Sequence, residues 1–150
     1  IHLVLVGKRT YYTNQIDAFI KSHRLEKRVH LLHDVTFQYL PAIYQQAEIF
    51  VYPSRFEGFG IPIIEALHSG IPVIAATGSC LEEAGGPDSL YVHPDDKEGM
   101  TKAICSLLNH PEKRQHMIEQ GLKYVTRFSE QRQAEELMNL YRSLTEEKTI

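Results

Sequence analysis

The stretch PSRFEGFGIPIIEALHSGIPVIA (residues 53–75) carries the signals that decide the fold. It follows a short apolar run at residues 49–52 and holds two closely spaced glycines, then an apolar segment closed by Gly70. A second β-branched run enters through Pro72. This order predicts a strand, a glycine loop, a helix with a glycine at its end, and another strand. Because such crossovers join parallel strands, the stretch predicts an α/β domain.

The same alternation of apolar runs and amphipathic segments extends along the whole chain. The predicted strands are continuous apolar runs, which indicates a parallel sheet covered by helices on both faces. The sequence therefore predicts a doubly wound, Rossmann-like α/β fold. The predicted strands cover residues 3–6, 29–32, 49–52, 73–75 and 90–92, and the predicted helices cover residues 13–22, 40–46, 63–69, 81–84, 97–108, 112–126 and 130–144. The tail at residues 146–150 is expected to fray.

Composition narrows the class of protein. The chain has 150 residues, of which 43% are hydrophobic and 23% are charged, as in an ordinary soluble globular domain. A net charge of −3 leaves no basic surplus for a phosphate backbone, so nucleic acid is not an expected partner. Cys80 and Cys105 do not have the spacing of a metal or redox motif, which suits a reducing compartment. The sequence alone does not exclude a disulfide between them. The chain opens inside a strand pattern without Met, so we expect a piece of a longer protein.

Two glutamates stand at the centre of the decisive stretch. Ligands of parallel sheets collect beyond the carboxyl ends of the strands, and Glu57 lies in the loop that leaves one. Gly58 and Gly60 suggest positive φ or close approach to a ligand, and Pro62 suits the first turn of a helix. The loop amides and the helix N-terminus then form a donor-rich concavity. Glu57 is expected at its mouth, and Glu65 about 5 Å further along the helix axis.

A carboxylate suits a ligand rich in hydroxyl groups, because it accepts from adjacent O–H donors. Carboxylates at two depths fit a nucleotide sugar, which has a ribose diol at one end and a hexose at the other. The alternative is that Glu57 is a solvated loop residue and that the helix dipole alone favours Glu65. The residues by themselves leave both interpretations open.

Several segments resemble one family in the correct order along nearly the whole chain. Glu57 and Glu65, with seven residues between them, resemble the glutamate–seven–glutamate motif of retaining, nucleotide-sugar-dependent glycosyltransferases of group 1, which have the GT-B fold. LPAIYQQAEIFVYPS (residues 40–54) is similar to the family's LPALYxxADLFVxPS. SCLEE (residues 79–83) resembles its SSLPEV turn, with Glu82 in place of the proline, and LYVHPDD (residues 90–96) resembles its LLVDPxD.

The resemblance implies roles for the matching positions. Glu57 is the implied catalytic residue, in contact with the donor hexose near the reacting carbon. Glu65 is expected to accept hydrogen bonds from the ribose hydroxyls. The remaining expected contacts are Gly58, Phe59, Gly60 and Ile61 for the donor sugar, Asp34 and Val35 for the base, and Thr77, Gly78 and Ser79 for the diphosphate.

The implied reaction is retaining transfer without a metal ion or another cofactor. The sequence has no Asp-x-Asp and no His/Cys/Asp cluster with ligand spacing. The substrate is expected to be a nucleotide sugar of the UDP, GDP or ADP type. The family's Arg and Lys that neutralise the diphosphate are expected upstream of Ile1, so Lys8 and Arg9 are interpreted as a solvated pair.

The implied architecture is incomplete in this chain. Residues 1–150 correspond to a C-terminal donor-binding domain without its first strand–helix unit and without the N-terminal acceptor domain. We therefore expect the isolated piece to be inactive, with a glycan, lipid-linked or small-molecule acceptor bound by the missing domain. The full-length protein is expected in the cytoplasm, or peripheral on the inner face of the cytoplasmic membrane. The final helix has an apolar stripe that predicts self-association of the piece, made of Ala134, Leu137, Met138, Tyr141 and Leu144.

Other classes of α/β protein fit the sequence less well. A dehydrogenase needs Gly-x-Gly-x-x-Gly after its first strand, but Gly7 is followed by Lys8, Arg9 and Thr10. A Walker loop is absent, and no acidic pocket or flavin loop points to a receiver-like or flavodoxin-like module. A non-catalytic nucleotide-binding or assembly module with the same fold stays open as the alternative function.

Overall fold

The computed structural model describes residues 1–146 and consists of parallel strands that alternate with helices. The predicted fraying of residues 147–150 falls outside the described residues, whereas Glu146 ends the last helix. The chain divides into two compact units, Ile1–Ala42 and Ile43–Ile150. The predicted α/β fold is therefore confirmed. None of the helices in the described part is both long and apolar enough to cross a membrane.

The first unit is a small βαβ arrangement. Strand β1 (Leu3–Val6) leads through helix α1 (Tyr11–Ser22) to strand β2 (Val29–Leu32), and a short 3-10 turn follows at Phe37–Tyr39. The two strands are parallel, with Leu3 opposite Val29 and Val6 opposite Leu32. Helix α2 (Leu40–Gln45) spans the boundary between the two units.

Strand β1 is not covered on both faces, so the prediction of a sheet covered by helices on both faces is wrong for this strand. Leu3, Val4 and Val6 are 49%, 44% and 45% exposed. The first unit has two strands and one long helix in 42 residues. So few elements do not bury both faces of a sheet, because a small unit has much surface for its volume.

The described part of the second unit, up to Glu146, contains three strands and the remaining helices. Its elements in order are β3 (Phe50–Tyr52), α3 (Ile61–His68), β4 (Val73–Ala76), α4 (Leu81–Gly85), β5 (Leu90–Val92), α5 (Lys97–Asn109), α6 (Pro111–Val125), a 3-10 turn at Thr126–Phe128 and α7 (Glu130–Glu146). The strand order is β3-β4-β5, all parallel, with Phe50 opposite Val73 and Ile74 opposite Leu90. The carboxyl ends of these strands therefore meet at one edge of the sheet.

Strand β4 is the centre of the core, and all of its residues are buried. Val73 and Ala75 pack into a cluster with Ile63 and Leu67 of α3. Ile74, which points to the other face of the sheet, packs with Leu107 and Met117 of α5 and α6. Helices therefore cover both faces of β4, as the continuous apolar run predicts.

The predicted elements agree with the observed ones to within about two residues at each end. One of the larger shifts lies at α3, which begins at Ile61 instead of residue 63. Gly60 directly before it adopts φ +104°, and Pro62 lies in the first turn, where its missing N–H costs nothing. The helix therefore starts immediately after the second glycine.

Candidate functional site

The candidate site is the loop between β3 and α3, residues 53–60, which we call the glutamate loop. It leaves the carboxyl end of β3 and ends in the αL glycine that precedes α3. Glu57 is exposed in this loop, and Glu65 lies half-buried as the fifth residue of α3. Both predicted glutamates are therefore found around the start of α3, one in the loop and one in the helix.

The Glu57 carboxylate is held by two hydroxyl groups. Tyr52, the last residue of β3, donates to Oε1 at 2.5 Å, and Ser54 donates to the same oxygen at 2.8 Å. These hydrogen bonds, that of Tyr52 first, keep the pKa of the Glu57 carboxyl below its usual range. Burial and the neighbouring carboxylate raise the pKa of Tyr52 to about 12. At neutral pH the pair is thus a protonated phenol and an ionised carboxylate.

Glu65 is held in a similar way by a different tyrosine. The Tyr44 hydroxyl donates to Glu65 Oε2 at 3.0 Å, across 21 residues of sequence. Burial, and then the hydrogen bond to Glu65, raise the pKa of Tyr44 well above its ordinary value. Tyr44 therefore stays a hydrogen-bond donor throughout the physiological pH range.

Phe50 lies between the two tyrosines. Its ring stacks on Tyr52 with centroids 5.7 Å apart and meets Tyr44 edge-on at 5.3 Å. Both arrangements are ones that aromatic pairs prefer. The aromatic trio of Tyr44, Phe50 and Tyr52 thus connects the side chains that hold the two glutamates.

The two glycines of the glutamate loop differ in their surroundings. Gly60 adopts φ +104°, and a Cβ there would lie 2.9 Å from Leu81 Cδ2 and 3.1 Å from Ala84 Cβ. Glycine is required at this position for both reasons. At Gly58 an added Cβ would meet no atom within 4 Å, and the φ angle is not positive. Positive φ is thus confirmed at Gly60 and is not found at Gly58, whereas a close approach of either glycine to a ligand stays a prediction.

Besides the Tyr52–Glu57 bond to strand β3, three contacts in the described part of the chain attach the glutamate loop to more distant segments of the second unit. Arg55 forms a bidentate ion pair with Asp95 in the turn after β5, with Nη1 and Oδ2 at 3.0 Å. The Cys80 thiol donates to the Glu57 backbone carbonyl at 3.2 Å. The Phe59 ring meets Phe128 edge-on at 5.5 Å.

The two cysteines of the chain are both free thiols. Cys80 takes part in the contact with the glutamate loop, and Cys105 is exposed on α5. The disulfide left open by the sequence is therefore not formed.

The loop after β4 is organised around Glu82. The Glu82 carboxylate accepts from the Thr77 hydroxyl and, at 3.1 Å, from the Gly78 amide. These bonds, that of Thr77 first, lower the pKa of Glu82. Gly78 has φ +84°, and the Ser79 hydroxyl accepts from the Leu81 amide. Glu82 therefore contacts two residues of the loop expected near the diphosphate.

The residues expected to line the base pocket belong to the first unit. Asp34 follows β2 in the left-handed region with φ 59°, and Val35 is half-buried beside it. The His33 ring nitrogen Nδ1 lies 3.0 Å from the Gly7 carbonyl oxygen. The loops after β1 and β2 are thus linked within this unit, and a role of Asp34 and Val35 toward a base stays a prediction.

Sequence reasoning missed the hydroxyl groups that hold the carboxylates. Ser54 and Tyr52 lie three and five residues before Glu57, so a polar cluster at the end of a strand was a usable local signal. The Tyr44–Glu65 bond had no such signal because it joins distant segments. Within residues 1–146, no group of three or more His, Cys, Asp or Glu side chains could hold a metal ion.

Curated relatives match this chain over most of its length. It is 37% identical over 111 residues to the O-antigen chain mannosyltransferase RfbU of Salmonella typhimurium, covering 74% of this chain and 31% of that protein. It is 30% identical over 142 residues to the O-antigen chain mannosyltransferase B of Escherichia coli, covering 95% and 37%. The chain thus spans about a third of the length of these relatives.

Solved structures share the fold. Sucrose-phosphate synthase from Thermosynechococcus elongatus superposes with a TM-score of 0.83 at 28% identity, over 98% of this chain and 39% of that one. HepE of Anabaena in complex with UDP superposes with a TM-score of 0.82 over 93% and 41%, and its 22% identity supports the fold alone. The family model described as "Glycosyl transferases group 1" matches residues 1–124. With most of its length matched in sequence and fold, this chain belongs to the glycosyl transferases group 1 family.

Proposed function

We propose that this chain is the donor-binding part of a retaining, metal-independent glycosyltransferase. The full-length protein would transfer a hexose from a nucleotide diphosphate sugar to a glycan, lipid-linked or small-molecule acceptor. In this proposal residues 1–150 are most of a C-terminal domain, and a further domain binds the acceptor. The named relatives that are mannosyltransferases of O-antigen chains favour mannose as the sugar and a bacterial polysaccharide as the product.

The observation that carries the proposal is the held, ionised carboxylate of Glu57 at the exposed glutamate loop. Two donors engage Oε1, so the carboxylate has a defined direction although the side chain is exposed. A carboxylate in this state can accept from a hexose hydroxyl and can stabilise the positive charge that develops at the sugar ring in glycosyl transfer. The departing diphosphate is proposed to be neutralised by cationic groups outside the glutamate loop.

The nucleotide is proposed to extend from Glu65 to the loop after β4. Glu65 keeps one carboxylate oxygen for ribose hydroxyls while Tyr44 engages the other. Phe59, Gly60 and Ile61 would contribute backbone amides to the hexose, beside the open approach at Gly58. The remaining proposed contacts are Thr77, Gly78 and Ser79 for the diphosphate, and Asp34 and Val35 for the base.

The test uses the full-length protein with UDP, GDP and ADP hexoses and a mixture of candidate acceptors. We expect transfer from one donor class, unchanged by a chelator, with the anomeric configuration of the donor kept in the product. Glu57→Gln should lower kcat by about 100-fold or more while nucleotide affinity by isothermal titration stays near the wild-type value. Glu65→Gln should weaken nucleotide binding instead.

Other results would overturn parts of the proposal. Inversion of the anomeric carbon would exclude the retaining mechanism, and loss of activity with a chelator that Mg²⁺ restores would exclude metal independence. Nucleotide binding with no turnover for any donor and acceptor would favour a non-catalytic binding module. A Glu57→Gln enzyme with wild-type kcat would remove Glu57 from the reaction.

The location and assembly of the protein are part of the same proposal. The full-length protein is proposed to work in the cytoplasm, free or peripheral on the inner face of the cytoplasmic membrane. Self-association of this chain through α7 is supported by exposed apolar side chains, with Leu137 at 48%, Met138 at 49% and Tyr141 at 53%. Light scattering should show mass rising with concentration and a return to monomer in Leu137→Glu. A monomer at every concentration would exclude this assembly.

A further inference from the structure

We propose that Tyr52 and Tyr44 are positioning residues, each of which turns one oxygen of a glutamate toward the substrate by engaging the other oxygen. Tyr52 acts on Glu57, and Tyr44 acts on Glu65. The inference rests on the proposed function, because it assigns the glutamates to a nucleotide sugar. It adds two residues that do not themselves contact the substrate. Tyr52 is proposed to affect the rate of transfer, and Tyr44 is proposed to affect the affinity for the ribonucleotide.

The division of oxygens is the main evidence. At Glu57 both donors, Tyr52 and Ser54, meet Oε1, and among residues 1–146 no protein donor contacts Oε2. At Glu65 the Tyr44 hydroxyl meets Oε2, and in the same described part of the chain no donor contacts Oε1. Each carboxylate thus has one oxygen engaged by the protein and one left over. The oxygen left over at each glutamate is the one proposed to accept from the substrate.

The rigidity of the donors supports the role. Tyr52 and Tyr44 are half-buried, and Phe50 packs against both rings at 5.7 and 5.3 Å. A packed aromatic ring carries its hydroxyl on a stem with only two rotatable bonds, so the donor position varies little. The carboxylates themselves lie on a loop and on a helix face, where an unsupported glutamate would sample several rotamers.

The groups around Glu57 also give the pair a pH signature. Tyr52 from β3 and Ser54 from the loop face its carboxylate, and the Cys80 thiol faces its backbone carbonyl. Tyr52 is protonated far beyond neutral pH because its pKa is raised to about 12, so the carboxylate alone titrates in the acid range. The tyrosine bond stabilises the ionised form of Glu57, and without it the carboxylate pKa must rise.

The first test compares Tyr52→Phe with wild type in the full-length enzyme. The ring and its packing are kept, and a single hydrogen bond to a charged group is removed. We expect kcat to fall roughly tenfold or more with little change in the KM for the donor. The acid limb of the kcat profile should move to higher pH. Tyr124→Phe is the matched control, since its hydroxyl donates to the Glu83 backbone carbonyl instead of a glutamate side chain.

The second test compares Tyr44→Phe with wild type in binding to nucleotides. We expect the substitution to weaken binding of the ribonucleotide more than binding of its 2′-deoxy analogue. The reason is that a freely rotating Glu65 no longer presents one oxygen to the ribose diol. If the Tyr44 hydroxyl served only to stabilise the fold, its removal would weaken the binding of both nucleotides by the same factor. Equal weakening, or no change, would therefore overturn the role of Tyr44.

A measurement that needs no turnover separates this inference from the proposed function. Carboxyl-carbon NMR of the full-length protein should give a higher Glu57 pKa in Tyr52→Phe and, by a smaller step, in Ser54→Ala. An unchanged Glu57 pKa in both, or a Tyr52→Phe enzyme with wild-type kcat and pH profile, would overturn the role of Tyr52. A wild-type protein without transfer activity would instead defeat the proposed function.

Discussion

The Arg55 guanidinium and the Asp95 carboxylate form a bidentate ion pair that joins the glutamate loop to the turn after β5. The pair crosses 40 residues of sequence. It raises the pKa of Arg55 and lowers that of Asp95, in each case chiefly through the hydrogen bonds between the two side chains. Both side chains are more than half exposed, at 54% and 62%, so the pair matters for the position of the loop more than for overall stability.

Charge reversal at this pair should change activity more than stability. Arg55→Asp and Asp95→Arg are each expected to lower transfer severalfold, because the loop that carries Glu57 loses a tether. The double variant should recover most of the loss, and all three should melt close to wild type. Steady-state kinetics and calorimetry on the full-length protein check this. Losses that simply add in the double variant would show that the pair does not hold the loop.

Substitution at Gly60 should destabilise the second unit. Gly60→Ala forces an L residue into φ +104° and brings its Cβ within 3.1 Å of both Leu81 and Ala84 side chains. The expected loss in the free energy of unfolding is about 1–3 kcal/mol, measured by urea titration. Gly58→Ala is the matched control and should change it by less than about 0.5 kcal/mol. Equal losses in the two variants would contradict this account of the loop.

The Glu82 carboxylate should control the loop after β4 in a pH-dependent way. Its folded pKa is lowered by Thr77 and Gly78, so the stabilisation that it provides is present above the unfolded pKa and is lost as the pH falls through the folded pKa. The Gly78 amide proton should therefore titrate in NMR with a midpoint below the ordinary Glu value. The Glu82→Ala variant should abolish that titration, and Glu83→Ala should keep it. A titration of the Gly78 amide proton that persists in the Glu82→Ala variant would exclude the Gly78–Glu82 hydrogen bond.

Truncation of a leucine to alanine should lower the free energy of unfolding at a buried position much more than at an exposed one. Leu107 is fully buried against Ile74 and Met117, so Leu107→Ala removes packed methyl groups and leaves a cavity. The expected loss is about 2–5 kcal/mol in the free energy of unfolding. Leu140 is 54% exposed on α7, and Leu140→Ala should change it by less than about 0.5 kcal/mol in a monomeric sample. Similar losses at both positions would mean that α7 is packed in solution.

Local patterns were enough for the elements of this fold. The strands and helices follow from apolar periodicity and from Gly and Pro punctuation, which act over a few residues. The two glutamates stood out because they flank such punctuation, and their significance came from resemblance to a family. Patterns that extend over only a few residues did not predict the exposure of β1. That exposure depends on how many elements the first unit contains.

What the sequence by itself determined is the order of parallel strands and helices and the place of Glu57 and Glu65 around the start of α3. The tertiary structure alone decided what holds those glutamates. Tyr44 reaches Glu65 across 21 residues, and Arg55 reaches Asp95 across 40. The physical reason is that periodicity reflects which face of an element is buried, whereas a hydrogen bond requires two particular atoms to meet. That meeting is set by the packing of the sheet and its helices as a whole.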